Sequence, residues 1–178
     1  QTDRNGGGDE FVTRIEFQNT LLSDLTVENF TPPFALDGSG IIGTSEVGTG
    51  ADETLIGTIG DDTIDGGGGA DLIEGGNGAD LLIGGSGSDT LTGGFGADTL
   101  TGGADADQFI FGLGDGADEI TDYAAIADTI TFTDGIQFAD MTVNQVGAHV
   151  EIGYGAGDII TVRNADILDF TEQEFIFI

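Results

Sequence analysis

Six aspartates recur in one register along the middle of this chain: Asp62, Asp71, Asp80, Asp89, Asp98 and Asp107, each nine residues after the one before. Carboxylates repeated so evenly are oxygen donors on a periodic frame, and the chemistry they suit is the capture of hard cations. Catalysis would need other groups. The single histidine, His149, lies in a strand-like stretch and reads as an ordinary strand residue; there is no HExxH zinc helix and no GxSxG nucleophile elbow. Cysteine is absent, which removes disulfides, thiolate zinc sites and thiol nucleophiles together. A glycosidase-like carboxylate pair has no clear candidate outside the repeating register. The chain reads as non-enzymatic.

The aspartates sit in a nine-residue repeat that runs from Gly48 to Ile110 in seven blocks. The best four are GGGGADLIE (Gly66 to Glu74), GGNGADLLI (Gly75 to Ile83), GGSGSDTLT (Gly84 to Thr92) and GGFGADTLT (Gly93 to Thr101). Glycines at positions one, two and four are expected to take positive φ and turn the chain tightly. Positions seven to nine form a short strand whose middle residue points inward. That inward column reads Leu55, Ile64, Ile73, Leu82, Leu91, Leu100, Phe109, apolar throughout.

These blocks follow G-G-x-G-x-D-x-U-x, a nonapeptide of parallel β-solenoids. In them the chain resembles the RTX, or haemolysin-type calcium-binding, family. The resemblance implies an all-β fold: a right-handed parallel β-roll of two sheets with two nonapeptides per coil, a C-terminal antiparallel β cap and a short N-terminal strand segment. One edge would then carry Asp62, Asp80 and Asp98, the other Asp71, Asp89 and Asp107. Neighbours on an edge lie about 4.7–4.9 Å apart and repel by about 3–4 kcal/mol at an effective dielectric of 20. Summed, that rivals the stability of a small domain, about 5–15 kcal/mol, so the stack needs divalent ions between its turns. Calcium (Ca2+) suits such turns better than magnesium, because it accepts six to eight oxygens, carbonyls included, in loose geometry.

The ligands that the resemblance implies are these six aspartates with carbonyls of the glycine turns: Gly66, Gly69, Gly75, Gly78, Gly84, Gly87, Gly93 and Gly96. After a slip, LGDGADEIT (Leu113 to Thr121) re-enters the pattern and adds Asp118, with Asp122 a weaker candidate. Glu53 stands in the aspartate position of the first block, and Asp105 replaces a fourth-position glycine, where it either adds a ligand or spoils one.

The expected layout is an N-terminal strand segment over 1–31, a linker over 32–47, the roll over 48–121 and the cap over 122–178. In the cap, Asp128 to Phe132, Val150 to Ile152 and Ile159 to Val162 read as half-buried antiparallel strands. The final Glu174-Phe175-Ile176-Phe177-Ile178 resembles the C-terminal element read by type I secretion exporters, and equally suits a last cap strand. Phe17 to Phe30 (FQNTLLSDLTVENF) resembles Val162 to Phe175 (VRNADILDFTEQEF), which suggests head-to-tail self-association through end strands.

Charge agrees with a metal partner: 33 acidic residues against three basic ones give a formal net charge of −30. No basic patch exists to meet nucleic acid, and no apolar run is long enough to span a membrane. The expected function is a calcium-binding module that folds outside the cell, secreted from a Gram-negative bacterium, with a structural or secretion role. Alternatives are a self-assembling subunit of an extracellular filament, surface layer or biofilm matrix, and the non-catalytic tail of an exoenzyme such as a protease, lipase or epimerase.

Overall fold

The structure, a computed structural model, describes residues 43–171 and 175–178. The N-terminal segment, most of the linker, the Phe17–Phe30 half of the end-to-end similarity and Glu174 lie outside the described residues.

Alternate blocks enter alternate sheets. One sheet takes β1 (Ser45–Val47), β3 (Thr63–Gly68), β5 (Leu81–Ser86), β7 (Thr99–Ala104) and β9 (Ala117–Ile120). The other takes β2 (Thr54–Ile56), β4 (Leu72–Gly78), β6 (Thr90–Gly96), β8 (Gln108–Phe111) and β10 (Thr129–Phe132). Pairing along both is parallel: Ile64 lies beside Leu82 and Leu82 beside Leu100, Ile73 beside Leu91 and Leu91 beside Phe109. The fold is a parallel β-roll, as the nonapeptide predicts.

The inward column forms the core. Ile64, Ile73, Leu82, Leu91, Leu100 and Phe109 are fully buried, and each such side chain stabilises the roll by about 1.5–3 kcal/mol. One apolar residue per strand cannot hold a coil alone; each depends on the coil above and below.

Past Phe111 the structure departs from the sequence reading. Thr129 to Phe132 is not an antiparallel cap strand: β10 runs parallel to β8, with Ile130 beside Phe109, and forms a further coil of the roll. Alternation of apolar and polar residues marks a strand but carries no information on the direction of its partner. The antiparallel part is a meander of β11 (Thr142–Val146), β12 (His149–Tyr154) and β13 (Asp158–Val162), joined to the roll where β13 lies parallel to β9. The terminal β14 (Phe175–Phe177) pairs parallel with β10. Aromatic rings close this end: Phe132 packs edge-on against Tyr154 at 5.1 Å and Phe175 at 5.7 Å, and Tyr123 stacks on Phe170 at 5.3 Å.

Candidate metal centre: two acidic edges

Each repeat turn runs from its first glycine to its aspartate, and the aspartates stack where the strands begin. On one edge the backbone N–H of each residue in the column donates to Oδ1 of the next: Asp62 to Asp80 (2.7 Å), Asp80 to Asp98 (2.8 Å) and Asp98 to Asp118 (3.0 Å). On the other the same ladder runs from Glu53 to Asp71 (2.9 Å), Asp71 to Asp89 (2.8 Å), Asp89 to Asp107 (2.9 Å) and Asp107 to Asp128 (3.1 Å). All six repeat aspartates and Asp118 are buried, between 1% and 3% exposed.

The second carboxylate oxygen separates the members of the column. Oδ2 of Asp71, Asp80, Asp89, Asp98, Asp107 and Asp118 is buried with no hydrogen-bond partner among the described residues. Asp62 differs: Thr44 serves its Oδ1 through N–H and hydroxyl, and Thr58 serves its Oδ2 through N–H (2.6 Å) and hydroxyl (3.0 Å). Glu53 likewise takes the Thr49 N–H (2.7 Å) and hydroxyl (2.6 Å). The degenerate early blocks carry threonine at position two, and its groups occupy the carboxylate that later glycines leave free.

The first-position glycines have a different role from the one their sequence suggests. Positive φ is confined to positions two and four, as at Gly76 (+108°) and Gly78 (+133°), and Gly69, Gly87 and Gly96 share it. Gly66, Gly75, Gly84 and Gly93 stand outside that region and are needed for space. A Cβ on Gly66 would lie 2.5 Å from Asp71 Oδ2 and 2.7 Å from Gly84 O, the carbonyl of the next turn on that edge. Gly75 meets Asp80 Oδ2 and Gly93 O in the same way. The unbonded oxygens of Asp71, Asp80 and Asp89 therefore each share a small cradle with a carbonyl from the following coil.

Burial, partly offset by the backbone hydrogen bond and reinforced by neighbouring carboxylates, raises the pKa of Asp80 and Asp89. The same causes lift Asp98 and Asp107 to about 6 and Asp118 to about 7. At Asp62 burial also acts upward, but the four threonine hydrogen bonds outweigh it and the pKa is lowered. Among the described residues no group of three or more His, Asp or Glu side chains forms a metal centre by itself. The donors instead come as one carboxylate oxygen per turn with backbone carbonyls, a hard all-oxygen set of the kind calcium takes.

The weaker candidates sort themselves. Asp122 accepts the Gly102 and Gly103 N–H groups (3.0 and 2.9 Å), so it pins a turn. Asp105 is exposed with φ of +82°. Asp128 is the residue the sequence reading missed as a column member: its Oδ1 continues the ladder and its Oδ2 takes the Ala124 N–H (2.7 Å). Its turn carries no glycine, but Ala127-Asp128-Thr129-Ile130-Thr131 repeats Ala97-Asp98-Thr99-Leu100-Thr101 with one change, a signal the nonapeptide search passes over. His149 Nδ1 accepts the Asn164 N–H (3.3 Å) within the meander.

Stacked turns, a one-residue-wide core and two columns of half-bonded carboxylates define a parallel β-roll with two acidic edges. Residues 47–82 and 83–121 match the RTX calcium-binding nonapeptide repeat, in four copies, and this chain carries an RTX calcium-binding repeat module. No curated protein sequence matches it. Among solved structures it resembles the AlgE6R2 subunit of the Azotobacter vinelandii mannuronan C5-epimerase, at 25% identity and a TM-score of 0.56, over 69% of this chain and 91% of that one. It shares its fold with the extracellular lipase LipA of Serratia marcescens, at 19% identity and a TM-score of 0.51, over 72% of this chain and 20% of the lipase. The first is a subunit of an epimerase and the second a lipase of which this chain matches only a fifth; no catalytic centre is evident among the described residues here.

Proposed function

We propose that this module folds on binding several calcium ions outside the cell and serves there as a stability and secretion element. The observation that carries the reading is the line of six buried Oδ2 atoms without partners. A buried unpaired oxygen of a charged group costs about 1–3 kcal/mol or more, and a calcium ion between successive turns turns that cost into coordination. Asp71, Asp80, Asp89, Asp98, Asp107 and Asp118 would hold the ions, with carbonyls of the turns at Gly66, Gly69, Gly75, Gly78, Gly84, Gly87, Gly93 and Gly96. Asp62, its oxygens already engaged, would contribute least.

Calcium supplies the positive charge; the chain supplies a geometry that exists only when the coils stack. Extracellular calcium modules bind at about 10⁻⁴–10⁻³ M. At ten times Kd each site adds about 1.4 kcal/mol to the folded state. Several sites acting together make a switch: unfolded and threadable through a type I exporter where calcium is scarce, folded where it is plentiful. The roll would run from β1 to β10, Ser45 to Phe132, with the meander and β14 after it as cap and bearer of the export signal. A second reading, the non-catalytic C-terminal part of an exoenzyme, is favoured by both structural neighbours belonging to such enzymes.

Circular dichroism tests the first reading. We expect strand signal to appear cooperatively on adding calcium to chelated protein and to vanish again with chelator. An identical spectrum in both conditions removes it.

A further inference from the structure

The first acidic edge continues past Asp118. The chain leaves the repeat, makes the antiparallel meander, and returns through Gly155-Ala156-Gly157 to Asp158 at the head of β13. There it stacks on the last repeat turn two residues out of the repeat register, so that Ile160 rather than Asp158 takes the place opposite Asp118. Ile160 lies beside Asp118, the Ile159 N–H donates to Gly116 O (2.8 Å), and Asp158 Oδ2 accepts the Gly114 N–H (3.0 Å). Gly155 and Gly157 have φ of +59° and +128°, in the left-handed range that the repeat turns also use. The meander thus supplies a surrogate turn, Gly-x-Gly-Asp, where the sequence has no nonapeptide.

Two oxygens at this junction lack partners. Asp118 Oδ2 and the Tyr154 hydroxyl are both buried and unbonded, in residues 3% and 2% exposed. Tyr154 immediately precedes the surrogate turn, its ring held edge-on by Phe132 (5.1 Å) and Phe111 (6.4 Å). Its phenol is pushed well above the ordinary value, first by burial and then by the charges of Asp118, Asp115 and Asp158, so the hydroxyl lies in the field of all three carboxylates. Asp115 and Asp158 are themselves 9% exposed. Asp115 Oδ2 is engaged by the Gly112 N–H (2.6 Å).

We infer that a divalent cation, calcium by its preference for hard oxygen donors, binds between the last repeat turn and this surrogate turn, held by Asp118, Asp158 and the Tyr154 hydroxyl. Backbone carbonyls and water complete the shell, as calcium's high coordination number allows. The site rests on the proposal that the repeats bind calcium, and adds that the cap supplies part of the final site. Filling it fastens the β12–β13 turn to the end of the roll, so that cap docking and the last ion become one event.

Ion counting by native mass spectrometry on the full chain tests this. Asp158→Asn keeps an oxygen for the Gly114 N–H, and we expect it to bind one ion fewer than the parent. Tyr154→Phe preserves the ring packing and deletes only the hydroxyl; we expect it to weaken one ion about tenfold and leave the rest unchanged. The chain has two tyrosines, so in a Tyr123→Phe background the near-ultraviolet absorption of Tyr154 reports alone. It should shift as that ion binds and stay still when Asp158→Asn is added. A full ion count with unaltered affinities in both variants, and a static Tyr154 spectrum, would mean that only water fills the junction and would overturn the inference while leaving the repeat sites intact. A parent chain that binds no calcium at all would overturn both.

Discussion

A carboxylate with one bonded and one unbonded oxygen is a ligand held ready, and this roll keeps six of them. The distinction predicts different outcomes for substitutions that look alike in sequence. Asp89→Asn should bind one calcium ion fewer and raise the calcium midpoint, because its Oδ2 has no other partner. Asp62→Asn should keep the ion count and cost about 1–2 kcal/mol through weakened threonine hydrogen bonds; equal ion loss in both variants would refute the distinction. Gly66→Ala should lose the ion of its turn and destabilise the loaded roll by about 1–3 kcal/mol, since its Cβ would sit inside the cradle shared by Asp71 Oδ2 and Gly84 O. Calcium titration with ion counting checks all three. The six aspartates and the inward column were readable from the period alone. The reason for the first glycine was not, because its neighbour in space, the carbonyl of the next turn, is eighteen residues away in the chain. Asp128 escaped for a related reason: its turn has lost the glycines that announce a repeat and kept only the strand that follows.

At the scale of elements, the roll was legible wherever the nonapeptide persists and the cap only in outline. A strand of alternating apolar residues such as Thr129 to Phe132 suits either pairing sense; what decides the matter is that Ile130 falls beside Phe109 and extends the buried column. The same holds for the final strand. Phe175 is 5% exposed and packs on Phe132, Phe138, Phe170 and Phe177, so β14 covers the last coil of its sheet. Phe175→Ala should therefore cost about 3–5 kcal/mol of the calcium-loaded stability and shift the calcium midpoint upward. Thermal unfolding at saturating calcium is the measurement, and an unchanged midpoint would show that β14 is dispensable to the fold. Either result bears on the terminal sequence, because a strand so engaged in the folded protein is available to an exporter only before the roll forms.

For the whole molecule the governing quantity is charge, −30 on 178 residues, concentrated in part along two buried columns. Protons and calcium compete for the same oxygens. An aspartate in an unfolded chain titrates near 3.9, whereas in the metal-free roll Asp98 and Asp107 titrate at about 6 and Asp118 at about 7, because burial and neighbouring carboxylates disfavour their charged forms. Between those limits the folded state binds more protons than the unfolded one. The stability of the metal-free roll must then fall as pH rises from about 4 through 7. Calcium reverses the trend: it requires the ionised form, so the stability it adds is smallest in acid and largest above pH 7. We expect chelated protein to hold most strand structure near pH 4–5 and least near pH 8, and the calcium midpoint to drop steeply across the same range. Circular dichroism at fixed ionic strength, with and without chelator, reads both arms. A metal-free chain that folds better at pH 8 than at pH 5 would show that these carboxylates are not crowded together in the folded state, and the cation edges would have to be abandoned with them.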